Sequence, residues 1–290
     1  MSDLVLEFSG ERFTPECVRE IWYEHWHRYA FAHALAEGRR TLDAACGEGY
    51  GSALLARRAS NVLGVDLSNQ SISHARERYV AANLRFERGD CTALDALPDA
   101  SFDLVVSFET LEHVQAQERM LDGFSRLLAP GGVLLISTPD RRNYSDIPGF
   151  RNEHHVRELY RDEFVALIGA RFPQHRLYAH KLLFQSALWA LDGGGHYAAT
   201  TLREDGTIAQ ALDYPPLYYI AVCTRDGEQL PELPALSLFG DAAESVYSHY
   251  NAEVRKSIGA GHRILELEGQ LDEERALNAD LRRRLGAEAR

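Results

Sequence analysis

A glycine-rich segment near the start of the chain has the composition of a nucleotide-binding loop. The segment LDAACGEGYGS, residues 42–52, follows an apolar run and leads into a predicted helix, which is the setting such loops require. Gly47 and Gly49, which follow Ala45, let the backbone turn sharply and approach a ligand closely. Asp43 precedes both glycines, and its carboxylate would repel a pyrophosphate but attract an ammonium group. The loop therefore favours a ligand with a positively charged end.

Two further acidic residues end the next two predicted strands. Asp66 in GVDLS, followed by Leu67, lies about 20 residues after the glycine loop, where a carboxylate can accept hydrogen bonds from both ribose hydroxyls. Asp90 in RGDCTAL could accept from an adenine amino group, and the backbone N–H of Cys91 could donate to the ring. Each acid alone could instead cap a helix. Together they predict a nucleoside site, because open α/β sheets bind ligands at the carboxyl ends of their strands.

Two adjacent histidines, His154 and His155, lie in a polar segment after the fifth predicted strand. A histidine whose pKa is near neutrality can remove a proton from a hydroxyl group. Glu158 follows His155 by three residues and could orient its imidazole if the segment turns helically. The alternative is that a histidine here only stabilises the loop. Glu109 and Asp140 are the next candidates for a catalytic base.

The scaffold that must position these residues is predicted by apolar runs that alternate with amphipathic segments between residues 39 and 225. Regular β-α-β-α alternation implies a parallel sheet with helices on both faces. Two closing strands, 174–184 and 217–224, are expected to form an antiparallel hairpin at the sheet edge. The other strands are predicted at 41–45, 61–66, 84–88, 102–108 and 132–138, and the helices at 51–59, 68–82, 115–128 and 161–169.

The ends of the chain differ in composition from this domain, which we assign to residues 39–225. Residues 1–38 are expected to form a helical lid, with its helix over residues 13–38. Residues 226–240 contain two prolines and a glycine and are expected to be a linker. Residues 241–290 are expected to be a helical tail that self-associates weakly or begins a longer coiled coil; the alternative is a solvated single helix. Its heptad positions are Ile264, Leu267, Leu271, Asn278, Leu281 and Leu285.

Composition and charge narrow the classes of partner. The net charge of −12 disfavours a nucleic-acid partner, which needs a basic surface. The four cysteines have no C-x-x-C spacing, so neither a zinc site nor a redox pair is predicted, and no other metal site is predicted. No apolar run approaches the ~20 residues of a membrane span, and the N-terminus does not resemble a signal peptide. A cytoplasmic location is the expectation.

The motifs LDAACGEGYG, GVDLS, GDCTAL, FDLVVSFETLEHV and LLAPGGVLLISTP, within residues 40–140, resemble in order and spacing those of class I S-adenosylmethionine (SAM) dependent methyltransferases. The resemblance implies a Rossmann-like sheet of seven strands, mostly parallel, with the last strand antiparallel. It implies SAM as cofactor, with Asp43 near the methionine amine, Asp66 on the ribose and Asp90 at the adenine. It further implies that Ser107, Phe108 and Glu109 line the methyl-donor pocket. Arg28 could reach the methionine carboxylate, or could be solvated while its helix packs.

A looser resemblance covers most of residues 10–225. GERFTPECVREIWYEHWHRYAFA and NEHHVRELYRDEF resemble methyltransferases of bacterial surface-glycan (O-antigen type) biosynthesis, and the second segment places His155 at the family's histidine position. This implies methyl transfer to a hydroxyl or terminal phosphate of a saccharide, with a glycosyltransferase as a partner through the tail.

Two other functions stay open at this point. One is a small-molecule O- or N-methyltransferase of secondary metabolism, and the other is a non-catalytic SAM-binding scaffold. In the first, four tyrosines could line an aromatic acceptor pocket: Tyr197, Tyr214, Tyr218 and Tyr219.

Overall fold

A seven-stranded sheet forms the centre of the first of two compact units, Met1–Phe239 and Gly240–Arg290. The structure, a computed structural model, describes residues 14–15, 20–188, 190–191 and 197–288. A separate short hairpin pairs β7 (Thr201–Leu202) with β8 (Ile208–Ala209). The strands of the main sheet are β1 (Arg40–Ala44), β2 (Asn61–Asp66), β3 (Leu84–Arg88), β4 (Phe102–Ser107), β5 (Leu128–Pro139), β6 (Gln174–His180) and β9 (Tyr218–Thr224).

The strand order β3-β2-β1-β4-β5-β9-β6 confirms the predicted Rossmann-like sheet. β9 pairs antiparallel with both β5 and β6, and the other pairs in the sheet are parallel. The closing hairpin is therefore present, although β6 ends at His180 rather than at Phe184. β5 begins at Leu128 rather than at Gly132, because Leu128 already pairs with Phe102 of β4. Gly131 has a φ of +74° within β5, and the β4–β5 register shifts nearby.

In the described part of the chain, five helices cover the two faces of the sheet: α1 (Glu20–Leu35), α2 (Tyr50–Leu55), α3 (Asn69–Arg78), α4 (Gln117–Leu127) and α5 (Arg161–Gly169). The alternation of side chains along the strands separates the two hydrophobic cores. Leu134 and Ile136 of β5 pack towards α4 and α5, whereas Val133 and Leu135 pack towards α1, α2 and α3. α3 ends at Arg78, short of the predicted residue 82, because Tyr79 is extended.

The first helix is anchored in the domain by its buried face. α1 buries Glu24, Arg28, Tyr29 and Ala32, so the segment predicted as a lid is part of the packed unit. The predicted helix began at residue 13; residues 13 and 16–19 lie outside the described residues.

The segment that was expected to be a linker, residues 226–240, packs on the domain up to residue 239. Phe239 stacks on His27 at 5.5 Å between ring centroids, and Tyr178 donates a hydrogen bond to the carbonyl of Pro234. The expectation of a free linker therefore does not hold for this stretch. The second unit consists mainly of one helix, α6 (Ser245–Glu288). In the described part of the chain, no helix is both long and apolar enough to cross a membrane.

Candidate functional site

A cavity of about 730 Å³ lies at the carboxyl-terminal edge of the sheet, where the predicted site residues converge. The loops after β1, β2, β3 and β4 line one part of the cavity. The segment after β5 contributes Tyr144, Asn152 and His155, and α1 closes one side with Ile21, His25 and Tyr29. Of the predicted site residues, those that line the cavity are Ala45, Gly47, Asp66, Leu67, Asp90, Cys91, Phe108, Glu109 and His155.

The glycine loop turns as its sequence requires. Ala45 and Gly47 have φ values of +62° and +57°, and both face the cavity. Gly49, at φ +91°, does not line the cavity. It packs so closely against Phe86 that a Cβ at this position would lie 2.7 Å from the ring. Gly47 and Ala45 therefore offer backbone to a ligand, whereas Gly49 permits the close packing that supports them.

Asp66 and Asp90 place carboxylates at neighbouring strand ends. Asp66 accepts hydrogen bonds from the backbone N–H groups of Gly47, at 3.0 Å, and Ser68, at 2.8 Å, so it fixes the glycine loop as well as lining the cavity. Asp90 accepts from the N–H and hydroxyl of Thr92. Burial, followed by the charge of Asp90, raises the pKa of the Cys91 thiol to about 12, so the thiol stays protonated.

Asp43 stands behind the cavity wall rather than on it. Its buried carboxylate accepts hydrogen bonds from the Tyr29 hydroxyl, at 3.0 Å, and from the Ser52 hydroxyl, at 2.6 Å. Burial raises its pKa to about 7, although both hydrogen bonds oppose the rise. Asp43 thus joins α1 to the glycine loop, and a direct contact with a methionine amine stays a prediction.

Arg28 is 1% exposed, so the interpretation that it is solvated is wrong. Its Nη1 lies 3.8 Å from Glu109 and 3.4 Å from His180 Nδ1, and its guanidinium lies over the ring of Tyr218. Among the described residues, its Nε and Nη2 have no hydrogen-bond partner. Arg28 does not itself line the cavity, but it contacts the cavity residues Glu109 and Tyr218. A contact with the methionine carboxylate stays a prediction.

The end of β4 brings two of its three predicted residues to the cavity. Phe108 packs edge-on against Tyr29, and Glu109 adopts a left-handed φ of +49°. Ser137 accepts from the Glu109 N–H at 3.0 Å and donates to its Oε1 at 2.6 Å, which holds this conformation. Ser107 is fully buried and does not line the cavity.

His155 is held from three sides, of which the sequence predicted the contact with Glu158, although the segment is not helical. Its Nδ1 lies 2.5 Å from Glu158 Oε1, its Nε2 lies 3.0 Å from Asn152 Nδ2, and its ring stacks on Tyr144. Asn152 Oδ1 accepts from the N–H of His154 at 3.0 Å, so its Nδ2 is the atom that faces His155. Nε2 is therefore an acceptor, and Nδ1–H donates to Glu158.

His154 does not face the cavity. It is exposed, and its carbonyl accepts a hydrogen bond from His113 Nδ1 at 2.9 Å. The prediction that His154 is a catalytic candidate is therefore not supported by its position. Asp140, the reserve candidate, also lies outside the cavity lining, where it accepts a hydrogen bond from Asn143.

Glu112 and His113 join this cluster through the turn Leu111–His113. Glu112 is buried, and burial, followed by the charge of Glu109, raises its pKa well above the ordinary value. The ring of His113 packs edge-on against His155 at 4.9 Å. The sequence did not single out His113 or Tyr144 as a site residue, and Tyr144 lies in a short π-helical turn, Arg142–Asp146, that no periodicity indicated. The available signal was the motif ETLEHV itself.

The comparisons with known proteins agree with this geometry. Residues 42–136 match the family described as "Methyltransferase domain". A probable SAM-dependent methyltransferase of Mycolicibacterium smegmatis is 39% identical over 169 residues, which are 56% of this chain and 63% of the relative. A ubiquinone biosynthesis O-methyltransferase of Psychrobacter arcticus is 37% identical over 108 residues, which are 36% of this chain and 42% of the relative. The chain thus spans less than two thirds of either relative's length.

The fold has a counterpart among solved structures. The YcgJ protein from Bacillus subtilis matches with a TM-score of 0.50 and 18% identity, over 70% of this chain and all of that one. The fold, the matched family and the loops at the strand ends agree. Residues 42–136 match the methyltransferase domain family, and the relative from Mycolicibacterium smegmatis is named as dependent on SAM. The cavity fits this cofactor in size and in the carboxylates that it presents.

Proposed function

We propose that this methyltransferase domain transfers a methyl group to a hydroxyl of a small acceptor, with a saccharide hydroxyl or terminal phosphate as the preferred class. The observation that carries the proposal is a single cavity that contains both the nucleoside-type carboxylates of Asp66 and Asp90 and the acceptor nitrogen of His155. Bound SAM supplies the methyl group on a sulfonium centre. The domain has to place an acceptor oxygen in line with that methyl and to remove its proton.

The residues after β5 are suited to remove the proton from the acceptor oxygen. Glu158 accepts from Nδ1–H of His155, which orients the imidazole and would stabilise it once Nε2 takes up a proton. An acceptor hydroxyl would replace the amide of Asn152 at Nε2. Phe108 and Tyr29 pack edge-on against each other and add aromatic surface to the lining of the cavity.

The choice of acceptor is supported less directly. The resemblance of residues 152–164 to glycan methyltransferases favours a saccharide. The aromatic acceptor pocket is disfavoured, because the four tyrosines do not come together. Tyr218 lines the cavity, Tyr219 packs on Phe164 in the core, and Tyr197 is 96% exposed.

Turnover assays with matched histidine variants test the proposal. His155→Ala should lower the methylation rate by about 10²–10⁴-fold, the usual contribution of a general base, while SAM affinity stays near that of the wild type. His154→Ala, the same substitution at the adjacent exposed residue, should have little effect. If both variants keep wild-type rates, the proton acceptor is not His155, and Glu109 or proximity alone would have to account for the reaction.

The acceptor panel separates the rival functions. Saccharides, sugar phosphates and phenols are incubated with the protein and SAM, and S-adenosylhomocysteine is measured by mass spectrometry. Turnover with saccharides supports the proposal, and turnover confined to phenols supports the secondary-metabolite alternative. SAM binding without turnover on any acceptor would support the scaffold instead.

A further inference from the structure

We infer that Glu112, His113 and His155 bind a divalent transition-metal ion on the acceptor side of the cavity. Each residue offers one ligand atom, and these atoms lie within 4.8 Å of one another. All three residues line the same cavity. Two imidazole nitrogens and one carboxylate oxygen are a donor set that Mn²⁺, Fe²⁺, Co²⁺ and Zn²⁺ accept while keeping positions open for other ligands. The sequence had named no metal ligand and left open whether a substrate-side metal is needed.

The two imidazoles present the correct nitrogens. Because Nδ1–H of His155 donates to Glu158, Nε2 carries the lone pair, which accepts from Asn152 in this structure and which an ion would take in its place. His113 Nδ1 donates to the carbonyl of His154, so its lone pair is also on Nε2. A metal-binding histidine commonly donates its other N–H to a carboxylate or a backbone carbonyl, which fixes both its tautomer and its ring orientation. Here His155 donates to a carboxylate, and His113 donates to a backbone carbonyl.

The carboxylate of Glu112 is also held by a hydrogen bond. Glu112 Oε2 accepts from the Thr138 hydroxyl at 3.2 Å, while Oε1 lies 3.9 Å from His113 Nε2. The carbonyl of Glu112 accepts from the N–H groups of Val156 and Arg157, which joins the turn to the segment that carries His155. Backbone contacts thus join the adjacent ligands Glu112 and His113 to the distant segment that carries His155.

The spacing is close to that of a bound ion. With metal–ligand distances of about 2.0–2.2 Å, two ligand atoms on one ion lie up to roughly 4.4 Å apart. Small side-chain rotations would therefore close the cluster around an ion. A divalent cation would also offset the mutual repulsion of Glu109 and Glu112 in a buried setting.

The role of the ion, unlike its binding, rests on the proposed function. An acceptor hydroxyl bound to a divalent ion loses its proton at a lower pH than a free hydroxyl. That proton passes to water, the oxygen bonds to the methyl carbon, and the carbon–sulfur bond breaks with its electron pair left on sulfur. When the ion is bound, His155 would contribute as its ligand; in the metal-free protein, His155 would accept the proton directly, as proposed above.

Cobalt titration of the full chain tests the site without any acceptor. Protein treated with EDTA and dialysed is titrated with Co²⁺ while its visible absorption is recorded. The wild type should bind one equivalent. His113→Ala and Glu112→Gln should weaken binding by about 10–100-fold or more. His154→Ala removes an imidazole next to the site, but one that is exposed and outside the cavity, and should bind as the wild type does.

Two outcomes would overturn the site: no saturable Co²⁺ binding by the wild type, or unchanged affinity in His113→Ala. Circular dichroism checks that each variant is folded, and if Glu112→Gln fails to fold, His113→Ala decides. Full turnover by chelator-treated protein would remove the ion from the reaction but leave the site. Metal binding without turnover on any acceptor would instead count against the proposed function alone.

Discussion

Replacing Asp66 with alanine tests whether the strand ends hold the cofactor. The variant removes a half-buried carboxylate that lines the cavity at the position expected for the ribose. Loss of hydrogen bonds to a charged group costs about 1–3 kcal/mol, so SAM should bind about 5–150-fold more weakly. Isothermal titration calorimetry with SAM on the folded variant measures this directly.

The structure adds a second effect that must be separated from the first. Asp66 also accepts the N–H groups of Gly47 and Ser68, so the variant leaves two loop donors without a protein partner. The free energy of unfolding should therefore fall as well, and affinities have to be compared well below the melting temperature of the variant.

Asp103→Ala supplies the matched control for this experiment. Asp103 likewise accepts a backbone N–H, that of Arg40 at 2.9 Å, but it does not line the cavity. Its loss should leave SAM affinity unchanged. Unchanged affinity in Asp66→Ala as well would remove Asp66 from the site and refute the assignment of the strand ends.

Three further outcomes are expected. Asp43 has a pKa of about 7 in the folded protein against 3.8 for the free group, so its contribution to stability is complete below pH ~4 and is lost as the pH rises through 7. The free energy of unfolding of Asp43→Asn should therefore rise relative to that of the wild type across that range, by an amount on the order of 4 kcal/mol. A difference in urea midpoint between the two proteins that does not change with pH would contradict this. Gly51→Ala places a Cβ 2.1 Å from the ring of Tyr29 and should destabilise the fold by about 1–3 kcal/mol, whereas Gly123→Ala, in an open helical position, should not. Light scattering should show weak self-association of the full chain that is lost in a chain ending at residue 240; the same state in both would mean that the tail does not drive assembly.

The sequence predicts the cofactor half of the site well, because that half depends on local features. Asp66 and Asp90 each follow a run of strand-forming residues, and parallel strands must bring their carboxyl ends to one edge. The motif alone could not show that Asp43 faces away from the cavity. Its position is set by a hydrogen bond from Tyr29, whose ring reaches the loop only after α1 packs on the sheet.

The acceptor half depends on contacts between segments that are far apart in sequence. Arg28 contacts His180 and lies over the ring of Tyr218, which no pattern within α1 could indicate. His154 and His155 are adjacent, and only the local turn decides that one enters the cavity and the other does not. The spacing of Glu158 favoured His155, but Asn152 and Tyr144 had to be seen in place.

The inserted position of β9 has a consequence for how this domain can diversify. The chain leaves β6 at His180 and re-enters the sheet at Tyr218, and these two residues are directly paired. The chain between these two residues therefore leaves and re-enters the sheet at one place on the ligand edge, while β1 to β5 and their cofactor loops lie outside it. Such a segment can be exchanged between homologues as a module without altering the strand register or the glycine loop. Chimeras that carry another protein's segment between these two residues should keep the sheet and the cofactor loops, so the topology itself separates what is kept from what can vary.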